Sequence, residues 1–287
     1  MLPIQYATNR FESRRAAIMN MPMDSESLKI LEQLPDMVAI SAPSGDPREY
    51  CYRDMEFTGP VSISWREAAI LALIAKNLKA KRVLEVGCGV GWATAHIAPY
   101  ATNIVCVDPF NQTATGFNGG FNAEMADKFI RNMQSLGFNA GVVKPKLKPV
   151  VEVVVEVEDK KSAKTEVEEE ATPARQSIQL IVGPTPEALS QVPAKPPFDM
   201  AYLDGNTSHR HPTQDVQAIV PLLAAHGLLV LQHMWVDEVQ KAATVLTKDG
   251  WHLEKLDTVG RMGVLWKGKK DEAPKWWATL LDDLPAA

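Results

Sequence analysis

The chain has 287 residues, 46% of them hydrophobic, with a net charge of −5 and a pI near 5.7. That hydrophobic content suits one large α/β domain with decorations, and the acidic balance argues against nucleic acid as the expected partner, because it does not draw in a phosphate backbone. The three cysteines, Cys51, Cys88 and Cys106, have neither metal-ligand spacing nor the even count of a disulfide framework. No stretch reads as a signal peptide or a bilayer span, so the expected setting is the cytoplasm, with no membrane partner.

In chain order, residues 1–60 read as an N-terminal extension of helix and loop. A helix is predicted over 25–34 with Ser25 as its N-cap, and residues 43–47 read as loop. Residues 61–270 form the main domain. It opens on a helix over 64–78, whose Ala68, Ile70, Leu71, Leu73 and Ile74 make an apolar face. Strand and helix then alternate: strand 82–86, a glycine-rich turn, helix 92–98, strand 103–107 ending at Asp108, and helix 123–136. Further strands are predicted over 178–182, 200–203 and 228–231, with helices over 215–223 and 237–248. The alternation predicts a doubly wound, mostly parallel sheet. Segments 251–256 and 262–266 lie close together and predict an antiparallel hairpin at its C-terminal edge. The tail, 271–287, carries Trp276, Trp277, Leu280, Leu281 and Leu284 at the spacing of a short amphipathic helix.

Residues 140–176 break the pattern. Val151, Val153, Val155 and Val157 alternate with Glu152, Glu156 and Glu158, and a Lys/Glu-rich run without aromatics follows. This is the composition of a surface insertion; a lid or a dimer arm is the alternative, and a homo-oligomer is compatible with it.

The chemistry concentrates at two places. The first is Glu85-Val86-Gly87-Cys88-Gly89-Val90-Gly91, which follows a strand and opens a helix. Glycines there let the chain turn sharply and let a ligand approach the backbone. Asp108 closes the next strand about twenty residues on, where a carboxylate can accept hydrogen bonds from ribose hydroxyls. A dinucleotide fingerprint would need glycine five positions after Gly87, and Trp92 stands there. The spacing instead resembles motif I of the class I S-adenosylmethionine (SAM)-dependent methyltransferases. The resemblance implies a Rossmann-like doubly wound domain and SAM as cofactor. It makes Glu85, Gly87, Cys88, Gly89, Gly91, Asp108, Pro109 and Asp204 the candidate cofactor residues. Phe110, Phe117 and Phe121 could flank adenine or substrate, or pack under the next helix.

The second place is the carboxyl edge of the later strands, which carry Asp204-Gly205-Asn206 and Gln232-His233. These segments resemble the small-molecule O-methyltransferases, the sugar- and macrolide-modifying enzymes and the catechol type. Asp204-Gly205 and Asp215 keep that family's pattern, and the resemblance covers roughly residues 59–268, excluding the insertion. Thr207 replaces its usual His, His209 its aromatic, Gln232-His233 its His-Asp, and His226-Gly227 its Gly-Gly. In the catechol type a divalent cation binds at positions matching Asp204, Gln232 and His233. One carboxylate, one amide and one imidazole suit Mg²⁺ poorly, so metal is not favoured and no metal ligand is assigned. A histidine then serves as base, and the candidate catalytic residues are Asp204, His233 and His209, with His211 behind them. The expected activity is methyl transfer to a small-molecule hydroxyl. The alternatives are a SAM-binding protein without transfer activity, acting as a regulatory or structural partner, and an NAD-linked oxidoreductase, which Trp92 disfavours.

Overall fold

The computed structural model describes residues 25–34, 63–110, 124–143, 176–256, 258 and 260–268. Cys51, Phe117, Phe121, the 43–47 loop, the valine run of the insertion and the tail helix lie outside those residues.

Helix α1 (Ser25–Glu32) precedes α2 (Trp65–Leu78), and β1 (Arg82–Val86) leads through the glycine loop into α3 (Trp92–Ile97). Then come β2 (Asn103–Asp108), α4 (Glu124–Ser135), β3 (Asn139–Val142), β4 (Ser177–Val182) and β5 (Phe198–Leu203). The chain continues through α5 (His211–Ile219), β6 (Leu223–Leu231), α6 (Asp237–Lys248), β7 (Trp251–Lys255) and β8 (Gly263–Lys267). The eight strands form one sheet in the order β3-β4-β2-β1-β5-β6-β8-β7. All pairs from β3 to β6 are parallel, and β8 runs antiparallel to both β6 and β7. This is the predicted architecture, C-terminal hairpin included.

Successive residues of the central strands point to opposite layers, as a pleated strand requires. Val83, Ile104, Cys106, Met200 and Val230 join the core beneath α2, α3 and α4. Leu84, Val105, Val107, Ala201 and Leu229 join the core beneath α5 and α6. All five residues of β1 are buried, and apart from Arg82 at its start and Glu85 the central strand is apolar.

Four details differ from the sequence reading. Ser25 is the first helical residue of α1 and not its cap. Helix α5 starts at His211, four residues early, with Pro212 in its first turn where the missing N–H costs nothing. It ends at Ile219 because Pro221 carries the chain into a 3-10 turn, Val220–Leu222, before β6 begins at Leu223. Finally, Asn139–Val142 is an edge strand and not the start of the insertion: Val143 N–H reaches the Leu180 carbonyl at 2.7 Å.

The last point changes what a deletion must look like. Because β3 and β4 are parallel neighbours, the connection from Val143 to Gln176 must return along the strand. A parallel crossover takes about a dozen residues. Deleting residues 146–175 and bridging with a Gly/Ser linker of roughly that length is expected to leave a folded, SAM-binding chain, since extra loop length adds little closure entropy. A cooperative unfolding transition and SAM calorimetry check this; global unfolding of the variant would show that the valine run belongs to the main structure.

Candidate active site

The carboxyl ends of β2, β1, β5 and β6 stand side by side and present Asp108, Gly87, Asp204 and Gln232-His233. Backbone bonds fasten them together: Gly87 N–H to the Val107 carbonyl, Asp204 N–H to Val86, and Gln232 N–H to Leu203. Gly87 has φ +83°, and a Cβ there would lie 2.1 Å from the Asp204 carbonyl oxygen. No side chain fits between the glycine loop and the end of β5. Gly91, with φ +98°, caps α3 and lies against Met133 and Phe129 of α4. The same helix holds the loop through Asn132 Nδ2, which donates to the Val90 carbonyl at 2.9 Å.

Asp108 does more than wait for a ligand. Its Oδ2 accepts from the N–H groups of Cys88 and Gly89, both at 2.9 Å, and its Oδ1 from Phe110 N–H at 2.8 Å. Burial pushes its carboxyl up to about 6; the three N–H bonds oppose this and the Asp204 charge adds to it. Phe110 itself is buried in the core, which supports the packing reading for it. Cys88 and Cys106 are free and buried, as small apolar residues. Pro109, beside Asp108, is partly exposed.

Glu85 is wholly buried and faces α3. Its Oε2 accepts from the Thr94 hydroxyl at 2.6 Å and from the Cys106 thiol at 3.8 Å, while its Oε1 has no partner. Burial pushes its carboxyl up to about 8, eased by Thr94 and Cys106 and reinforced by Asp204 and Asp108. Three carboxyl groups thus share one poorly solvated region under the glycine loop. Such a region favours a cation.

The predicted meeting of Asp204 and His233 is present. His233 Nε2 lies 2.9 Å from Asp204 Oδ1, with the two side chains 24% and 2% exposed. Tyr202 OH donates to Asp204 Oδ2 at 3.2 Å. With the proton of the neutral imidazole assigned to Nε2, which faces Asp204, the lone pair falls on Nδ1, a buried atom without a hydrogen-bond partner. Burial works to lower the His233 pKa, but the adjacent Asp204 carboxylate, its hydrogen bond and the charge of Glu67 outweigh it and hold the pKa above the usual histidine value. His233 has φ +59° and Trp235 stands edge-on to its ring at 5.9 Å.

The other candidates fall elsewhere. His209 is exposed, at φ +51°, in the connection from β5 to α5. His211 is the first residue of α5. Asp215 is buried with its Oδ2 against Gly205; burial pushes its carboxyl up to about 6, with Thr185 easing and Glu187 adding. Gln232 is buried and donates to Glu67 Oε1 at 3.1 Å. The donor set does not fit Mg²⁺: the single carboxylate is bonded to the imidazole, and the amide is anchored to a second acid. Among the described residues no group of three His, Cys, Asp or Glu is arranged to hold a metal.

Glu67 is the residue that the sequence reading missed, although Ser64-x-x-Glu67 is the signature of a capping box at a helix start. The box is formed: Ser64 Oγ accepts from Glu67 N–H at 3.3 Å, and Glu67 Oε2 accepts from Ser64 N–H at 2.9 Å.

Among the described residues no helix is long and apolar enough to cross a membrane. The fold is that of several solved methyltransferases. An O-methyltransferase from Bacillus cereus in complex with S-adenosylhomocysteine (SAH) has a TM-score of 0.55 at 12% identity, over 90% of this chain and 100% of that one. The SAH-bound methyltransferase PaMTH1 of Podospora anserina has 0.54 at 15%, over 93% and 99%. The SAM complex of TomG, an O-methyltransferase of tomaymycin synthesis in Streptomyces achromogenes, has 0.51 at 14%, over 86% and 97%. No curated protein matches the sequence significantly. A family model for a methyltransferase domain does match, from Leu84 inside β1 to His233 after β6. That span of residues 84–233 is more than half of the chain, and it runs from the glycine loop to the histidine at the opposite side of the edge; the chain belongs to this methyltransferase-domain family.

Proposed function

We propose that the protein transfers a methyl group from SAM to a hydroxyl of a small-molecule acceptor, with His233 as the base. The observation that carries this reading is the contact between the two halves of the site. The backbone of Asp204, whose side chain meets His233, abuts Gly87 of the glycine loop with no room for a side chain between them. A proton acceptor therefore stands beside the place where a nucleotide-like cofactor would lie.

The residues fit the cofactor. SAM bears a sulfonium and an ammonium against one carboxylate, and the region under the loop holds Glu85, Asp108 and Asp204. Gly87, Cys88, Gly89 and Gly91 supply an open backbone, Pro109 borders it, and Asp108 Oδ1, with a single N–H on it, retains a lone pair for a ribose hydroxyl. When bound, SAM supplies an electrophilic methyl group. In this reading the His233 imidazole, 24% exposed, takes the proton of the acceptor hydroxyl, leaving the oxygen nucleophilic. Asp204 keeps the ring in the required tautomer and stabilises the imidazolium that results, while Tyr202 holds the far oxygen of Asp204. Alignment of acceptor and methyl does much of the remaining work.

Calorimetric titration with SAM and separately with NAD, followed by incubation with methyl-labelled SAM and pools of phenolic, sugar and macrolide hydroxyl compounds, tests the reading. SAM binding with label transfer is the expected result. NAD binding without SAM binding would overturn it. SAM binding with no SAH formed from any pool would favour the regulatory reading.

A further inference from the structure

The capping box at the start of α2 needs only one oxygen of Glu67, yet both are fully used. Oε2 takes the Ser64 N–H and, at 3.0 Å, the Ser64 hydroxyl. Oε1 takes Gly260 N–H at 2.7 Å and Gln232 Nε2 at 3.1 Å. The side chain is 0% exposed. This buried carboxylate, with four donors on it, is tied at once to α2, to the end of β6 and to the turn between β7 and β8. The fit is tight: a Cβ on Gly260 would fall 2.0 Å from Gln232 Nε2 and 2.9 Å from Glu67 Oε1.

Gln232 is the residue before His233, and His233 has a backbone conformation that non-glycine residues avoid. Something must hold that turn. Met234 N–H bonds the Arg261 carbonyl and Val236 N–H bonds the His233 carbonyl, fastening the far side. On the near side the Gln232 backbone N–H bonds the Leu203 carbonyl, and its side chain is fastened to Glu67.

We propose that Glu67 is a positioning residue for the base: it anchors the turn that carries His233 through Gln232 and keeps a fixed negative charge near the imidazole. This rests on the reading of His233 as the base. The groups that act on the His233 ring are Asp204 from β5, in direct contact, and Glu67 from α2; Trp235 adds an uncharged ring edge, and Tyr202 reaches it only through Asp204. Glu67 and Asp204 both favour the imidazolium, against burial.

The test needs no acceptor. The His233 ring is titrated by NMR in the full chain without cofactor, with His233→Asn identifying its signal. The expected wild-type midpoint lies above the ordinary histidine value. In Glu67→Gln it should fall by roughly half a pH unit or more, the scale of a nearby charge removed. Gly260→Ala, which wedges the Gln232 amide away while keeping the acid, should move it the same way by less. It also serves where Glu67→Gln fails to fold. A midpoint unchanged in whichever variants fold would reduce Glu67 to a helix cap and overturn the proposal. Full turnover in His233→Ala would remove the base reading alone, since the titration does not depend on it.

Discussion

Replacing His233 with alanine is expected to slow methyl transfer roughly 10²–10⁴-fold, the usual worth of a positioned general base. SAM affinity should hardly change, because the groups that would meet the cofactor are the glycine loop and Asp108. The sign of the pH dependence follows from the raised His233 pKa. Below that pKa the ring is imidazolium and cannot take a proton, so the wild-type rate falls on acidification, beginning at a higher pH than an ordinary histidine would give. Above it the ring is neutral and the rate reaches a plateau. The alanine variant loses this acid limb along with the rate. Initial rates across pH with any acceptor that accepts label, beside calorimetry with SAM, make the measurement. Wild-type rate in the variant would remove His233 from the chemistry and leave exposed His209 as the next candidate.

Asp108→Ala should damage both stability and cofactor binding. A carboxylate that served only as a ribose partner, as the sequence suggests for Asp108, could be removed at the cost of SAM binding alone. The structure gives a different expectation. Three buried N–H groups, on Cys88, Gly89 and Phe110, lose their acceptor together. Each buried donor left unpaired costs about 1–3 kcal/mol, so the variant should lose several kcal/mol and its glycine loop should loosen. In the fraction that folds, a lost charge-assisted bond to ribose of about 1.5–3 kcal/mol adds a tenfold to hundredfold weaker SAM affinity. The pKa adds a sign. A carboxyl raised in the folded state to about 6 contributes stability that is fully present below its unfolded pKa and lost as pH rises through about 6. The gap between wild type and variant should therefore be wider at pH 4 than at pH 8. Denaturant unfolding at the two pH values checks it. Equal stability at both would show that the loop finds other acceptors.

The strands and most helices were legible because their periodicity is local. Residues 82–86 and 237–248 are observed with the predicted bounds. The Asp204–His233 pair was legible because each residue follows a strand and the two strands are neighbours. Strand β3 was not, since Asn139-Ala140-Gly141 has little β propensity and depends on its pairing with β4. The loop bonds of Asp108 were hidden because they turn a carboxylate back toward its own protein. The second oxygen of Glu67 was hidden for another reason: its partners Gln232 and Gly260 lie 165 and 193 residues away.

Those separations bear on how the chain acquires its site. The capping half of Glu67 joins residues three apart and can form with α2 itself, as early as any turn of helix. The other half closes loops spanning most of the chain, whose entropy must be met before the contacts return anything. It can form only when β6 has docked on β5 and the C-terminal hairpin has added to β6. The Glu67 anchor of the turn bearing His233 is thus among the last contacts that can form, and a nascent chain released before its final strands are made would hold a glycine loop without that anchor.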